Sequence, residues 1–154
     1  MTDAPDTPAI RYVTENRITH RLVGYGHVRS AEEAAQARGI PLGALVKTLV
    51  IRVDDGQYLL ALVPGDRGLD YPKLRKHLGV RRLTMPDPAE ARRATGYERG
   101  TITPFAAGDH RIVADERLFE LDEISLGSGA HGWAIHVAPN ILVELGAESA
   151  DIAG

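Results

Sequence analysis

The residue whose chemistry most needs explaining is Lys47. It sits in the stretch ALVKTLVIRV, residues 44–53, which otherwise reads as a buried strand. Alternate positions put Leu45, Lys47, Leu49, Ile51 and Val53 on one side. Val46, Thr48 and Val50 fall on the other, with Arg52 near the exit. An ammonium in the more apolar row must find a pocket, a partner or a substrate, because burying it bare is very costly. It could equally snorkel to the sheet edge, with its aliphatic stem along the apolar row.

A second candidate is the segment 100–104. Gly100 and Pro104 bracket Thr101, Ile102 and Thr103. Glycine lets a backbone come close to a ligand, and proline fixes the far end of the loop. Such a loop can aim free N–H groups at a carbonyl oxygen, as an oxyanion hole does; a plain turn has the same spacing. A third candidate is the stretch HGWAIHVA, residues 131–138. His131, Trp133, Ile135 and Val137 form a bulky row, while Gly132, Ala134 and Ala138 leave space around His136. A neutral imidazole there could hydrogen-bond an ammonium or a water; a half-exposed histidine beside small fillers is the plainer reading.

Other chemistries are excluded by type. There is no Walker loop, no G-x-G-x-x-G, no G-x-S-x-G and no H-E-x-x-H. Zero cysteines exclude disulfides, thiolate zinc sites and a cysteine nucleophile. His131 and His136 are five apart on a presumed strand and face opposite ways, so no metal site is expected. No apolar run approaches the roughly 18 residues of a membrane span. The start, MTDAPDTPAI, is acidic and has no apolar signal region, so the expected compartment is the cytoplasm.

The net charge of -3 argues against a general nucleic-acid coat, but charge is unevenly spread. Residues 67–99 hold nine basic and four acidic side chains, a segment of +5 in a remainder of -8. Such a segment could grip a few phosphates, or simply furnish solvated helix faces.

The elements that must position these residues follow from caps and periodicity. At 154 residues the chain suits one domain, with residues 1–6 as a frayed tail. Thr7 and Pro8 open a helix ending near Asn16, and Ser30 with Glu33 forms a capping box for a helix stopped by Gly39. Residues 18–25 read as a strand. Asp54, Asp55 and Gly56 make a turn between the 44–53 strand and a return arm at 57–63. Short helices start at Asp70 and at Asp87-Pro88, with a short strand at 80–84 between them. Residues 94–105 are a structured loop, 112–114 a strand and 118–124 an interrupted strand. Gly127, Ser128 and Gly129 form a corner before the 131–138 strand, and Pro139 opens a last short helix. Strands and hairpins dominate, which predicts an α/β (α+β) fold with a curled, mixed, mostly antiparallel sheet and peripheral helices.

Taken together, VKTLVIR at 46–52, LALVPGDRGLD at 60–70 and TGYERGTITPF at 95–105 resemble the YbaK family, free-standing relatives of the editing domain of bacterial prolyl-tRNA synthetases. The likeness runs from the first helix to the closing ADI at 150–152. It implies a barrel-like sheet of six or seven strands and hydrolysis of the ester joining a wrong amino acid to tRNA, typically tRNA(Pro). It places the family's key lysine on Lys47 and its G-x-x-x-P loop on Gly100, Thr101, Ile102, Thr103 and Pro104. Tyr25, His27 and Thr48 fall on pocket positions. The implied partners are the acceptor end of mischarged tRNA and, as a second candidate, prolyl-tRNA synthetase. No cofactor is implied.

There are departures. Cysteinyl-specific members carry a serine where this chain has Gly127, with Ser128 and Gly129 beside it, and an aspartate where it has Ala134. Alanyl-specific members place a histidine in the late strands, which either His131 or His136 would match. On this reading loop N–H groups hold the ester carbonyl, Lys47 anchors phosphate or ribose, and the substrate's own ribose hydroxyl activates water. A non-catalytic module that binds aminoacyl-tRNA or a synthetase would share the fold; retention of Lys47 with the intact loop favours the enzyme.

Overall fold

The computed structural model describes residues 4–54 and 56–154. The first half of the expected frayed tail and Asp55 of the expected turn lie outside these residues. Three helices begin as their caps dictate. Helix α1, Pro8–Glu15, is capped by the Thr7 hydroxyl; α2, Ala31–Arg38, by Ser30; and α3, Tyr71–Leu78, by Asp70. Gly39 and Gly79, both left-handed, end the second and third. Helix α4, Pro88–Thr95, starts at Asp87 in the same way, and α5, Ile141–Glu144, is a single turn.

The strands are β1 (Arg21–Gly24), β2 (Val46–Val53), β3 (Tyr58–Pro64), β4 (Leu83–Thr84), β5 (Arg111–Asp115), β6 (Ile124–Gly127), β7 (Trp133–Val137) and β8 (Glu148–Ala150). They form two sheets, ordered β1-β7-β6 and β4-β2-β3-β5-β8. The expected barrel-like single sheet is therefore corrected: the strands do not close on themselves, and the sheets touch through a parallel bridge between Leu45 and Ser125. Pairing is mixed and mostly antiparallel, with parallel ladders at β3–β5 and β5–β8. The stretch expected as an interrupted strand at 118–124 holds the end of a 3-10 turn over Glu116–Glu120 and then bends, with only Ile124 in a strand, and β8 had no sequence signal.

Strand alternation sorts the core. Val46 and Val50 of β2, Leu60 and Leu62 of β3, Leu126 of β6 and Ile135 of β7 fill the space between the sheets, with Phe105. On the far side of the larger sheet, Ile51, Leu59, Ala61, Val63 and Val113 pack against Leu74 of α3 and Ile152. Central strand β3 is buried on both faces, which is why it reads as a continuous apolar run. No helix among the described residues is long and apolar enough to cross a membrane.

The C-terminal segment is clipped to this outer layer by Asp115, which is fully buried. Its carboxylate accepts from the N–H groups of Ile152 and Ala153, each at 3.0 Å, and from Arg117 N–H at 3.1 Å. The Arg117 guanidinium, 3.1 Å away, neutralises it. A buried carboxylate so fully paired is stabilising mainly because removing it orphans its donors. Asp115→Ala should lower stability by about 2–4 kcal/mol in urea denaturation; an unchanged midpoint would show that the clip carries no weight.

Candidate active site

The 100–104 loop is fixed by what it packs against. Gly127 ends β6, and a methyl group there would come within 2.5 Å of the Ile102 carbonyl oxygen and 3.0 Å of that of Thr101. Gly129 N–H donates to the Thr101 carbonyl at 3.0 Å. In trans peptides each carbonyl points opposite to the next residue's N–H. With these two carbonyls turned onto the corner, the N–H groups of Ile102 and Thr103 point away from it. Among the described residues, neither they nor Gly100 N–H has a hydrogen-bond acceptor. Thr101 leaves the expected donor set: its N–H and hydroxyl both turn back to the Glu98 carbonyl, at 3.0 and 2.8 Å.

Tyr97 braces the loop from below. Its hydroxyl donates to the Phe105 carbonyl at 2.7 Å, and a methyl on Gly129 would meet its ring at 2.7 Å. Burial pushes the phenol up to about 12, so it stays a donor across ordinary pH. The corner has its own ties. The Ser128 hydroxyl donates to the Trp133 carbonyl at 2.8 Å and accepts from Ala130 N–H at 3.2 Å. Its backbone carbonyl takes the Thr7 hydroxyl at 2.5 Å. Ser128, expected as a pocket contact, is thus spent inside the corner. Pro104 and Thr103 are buried beneath the loop, and the Thr103 hydroxyl has no partner among the described residues.

Beside the loop lies an open cavity of about 780 Å³, lined in part by Gly24, Tyr25, His27, Gly100, His131 and Trp133. Gly100 and His131 meet at its edge, where a methyl on Gly100 would touch the imidazole at 3.4 Å. Tyr25 is held from outside: Arg38 donates to its hydroxyl at 3.1 Å and stacks its guanidinium 4.5 Å from the ring centre. The Arg38 guanidinium also donates to Ser125 at 3.0 Å.

Tyr25, His27 and Gly100 are therefore brought together as expected residues of one cavity, while others lie apart from its lining. Lys47, half-buried, donates its ammonium to the Arg67 carbonyl. It shares a row with Leu45, whose bridge to Ser125 brings β2 beside β6; two residues further along each strand stand Lys47 and Gly127. Thr48 is on the opposite row, its hydroxyl buried without a partner among the described residues. His136 is buried, with Nδ1 3.2 Å from the Arg21 guanidinium and 3.5 Å from Glu123. Its Nε2 has no partner among the described residues. Burial lowers its pKa despite Glu123, and Arg21 and Arg38 reinforce the shift. His131, one of the two late-strand histidines the resemblance left open, is the one in the lining; Gly24 and Trp133 were not expected there. Their only sequence signal is two glycine–aromatic pairs, Gly24-Tyr25 and Gly132-Trp133, at opposite ends of the chain.

Gly127→Ala should displace the loop, speed hydrogen exchange of the Ile102 and Thr103 amides, and cost about 1–3 kcal/mol. Unchanged exchange would show that the corner does not pin the loop. The lowered pKa of His136 makes its contribution to stability full above its ordinary 6.5 and declining as pH falls through the folded value. His136→Asn should flatten that acid limb in thermal melts across pH, and an identical slope in both proteins would remove the histidine from it.

The family profile described as "Aminoacyl-tRNA editing domain" matches residues 26–145. A proline–tRNA ligase of Thermosipho africanus (strain TCF52B) is 39% identical over 89 residues, 58% of this chain and 16% of the ligase. The chain thus spans only a small part of that relative's length. The multifunctional Ser/Thr-tRNA deacylase ProXp-y of Escherichia coli (strain K12) is 35% identical over 117 residues, 73% of this chain and 67% of that protein. A crystal structure described as a candidate trans-editing enzyme for prolyl tRNA synthetase superposes with a TM-score of 0.87 at 29% identity, covering 98% of this chain and 99% of that one. With the profile extending over residues 26–145, this chain belongs to the aminoacyl-tRNA editing domain family.

Proposed function

We propose that the protein is a trans-editing hydrolase that cleaves the ester of mischarged aminoacyl-tRNA, with tRNA(Pro) carrying a small wrong amino acid as its substrate. The observation that carries this reading is the loop beside the open cavity. Its Thr101 and Ile102 carbonyls are anchored on the corner at Gly127 and Gly129, and the N–H groups of Gly100, Ile102 and Thr103 have no acceptors among the described residues. Unpaired donors held in place are what a developing oxyanion needs. The relatives' names support the same chemistry.

An aminoacyl ester is already activated, so the protein has little bond-making to do. The ester carbonyl oxygen accepts from the loop amides. Water attacks the carbonyl carbon while the neighbouring ribose hydroxyl takes its proton and passes its own to the ribose oxygen that departs. The tetrahedral intermediate expels the other ribose oxygen, which takes a proton, releasing free amino acid and tRNA. Thr101 supports this by turning its own donors to Glu98, which fixes the loop rather than the substrate. Among the described residues the Lys47 ammonium is held only by a neutral carbonyl, so its charge is available to a phosphate or ribose. Exposed Arg99, next to Gly100, and the exposed Arg81, Arg82, Arg92 and Arg93 supply positive charge for the incoming strand. Lys73 is already engaged by Asp151 and contributes less. A site that hydrolyses only small wrong amino acids follows the logic of a second sieve. A prolyl-tRNA synthetase is the partner this substrate would bring.

Deacylation of a panel of tRNA(Pro) species charged with serine, threonine, alanine or cysteine tests the reading. At least one should be hydrolysed, and Lys47→Ala should lose at least about 10-fold. Equal rates would remove Lys47 from the mechanism. No turnover on any member would favour a module that binds aminoacyl-tRNA without cleaving it.

A further inference from the structure

Trp133 is the chain's single tryptophan, and it opens β7 opposite Gly24. The indole lies against the Gly24 backbone: a methyl at Gly24 would meet its Cη2, Cζ2 and Cζ3 atoms at 3.2 to 3.4 Å. Three contiguous ring atoms at nearly one distance mean that the six-membered ring is laid over the glycine. Any larger residue at 24 would lift it. Trp133 is nevertheless only half-buried and lines the open cavity together with Tyr25, His27 and His131. An indole backed by strand and open on a cavity rimmed by other rings is the kind of surface on which a nucleobase stacks.

We infer that Trp133, seated on Gly24, is the stacking platform for the terminal base of the tRNA acceptor end, an inference that rests on the editing reading above. The geometry is consistent with the chemistry of that substrate. In an aminoacyl-nucleoside the base and the ester share one ribose, so the base site and the carbonyl-binding loop must open on one cavity. Trp133 and Gly100 do so, and His131, whose ring lies against Gly100, lines the same cavity. Stacking is tolerant of base identity, which suits an end that every tRNA shares. The basic helices then hold phosphates further along the strand, and the platform fixes the reacting end.

Because the tryptophan is unique, the wild-type protein reports on the site directly. The probe is seryl-adenosine in which a 3′ nitrogen replaces the ester oxygen, so that it binds without hydrolysis. It should quench the tryptophan emission saturably, and the same amide on a ribose without base should not. Trp133→Ala should raise KM for mischarged tRNA about 10-fold with kcat nearly kept, and Trp133→Phe should recover most of that loss. Competitive inhibition of deacylation by the amide with no change in emission would overturn the platform and leave the hydrolase reading intact. Saturable quenching by a protein that hydrolyses no mischarged tRNA would keep the platform and overturn the hydrolase. Neither binding nor hydrolysis would overturn both.

Discussion

Much of this site depends on one steric fact, the absence of a side chain at Gly127. Because nothing projects there, the carbonyls of Ile102 and Thr101 settle directly on the end of β6. That contact orients two consecutive peptide groups, and a trans peptide with its carbonyl committed has its N–H committed as well. The N–H groups of Ile102 and Thr103, without acceptors among the described residues, are thus a by-product of packing. Tyr97 below the loop and Thr7 behind the corner hold the same arrangement from two further directions.

Two positive groups, one beside Tyr25 of the cavity and one on β2 apart from its lining, face neutral acceptors. Lys47 rests on a backbone carbonyl, and Arg38 on a serine and a tyrosine hydroxyl. Neither has a carboxylate among the described residues within ion-pair distance. Most other guanidinium and ammonium groups with a partner are matched on the outer surface, as Arg52 is with Glu90 and Arg111 with Glu148. A region whose cations are hydrogen-bonded but not neutralised keeps its field for an anionic ligand.

Most of the framework was legible because it is local. Thr7-Pro8, Ser30, Asp70 and Asp87-Pro88 are caps, and the chain obeyed them. The alternation through β2 sorted its residues to the two faces observed, since a side-chain period of two leaves no third choice. What escaped was long-range. Nothing local in the sequence marks Asp115 as the acceptor for residues 152 and 153, and β8 exists only because β5 offers it an edge. Ser128, taken as a pocket position by resemblance, is engaged within its corner, whose internal bonds are invisible until it is folded. Gly24 and Trp133 lie far apart in sequence, and only the β1–β7 register sets one upon the other.

That register also governs when the cleft can come into being. Its walls are drawn from residues 24–28, from Gly100 and from 131–133, so a loop spanning most of the chain must close before the hollow exists. Contacts of such high sequence separation form slowly and together with the rest of the core. A partly synthesised or partly unfolded chain lacks the hollow altogether. The cavity would then appear abruptly, at the last stage of folding, and vanish at the first stage of its loss.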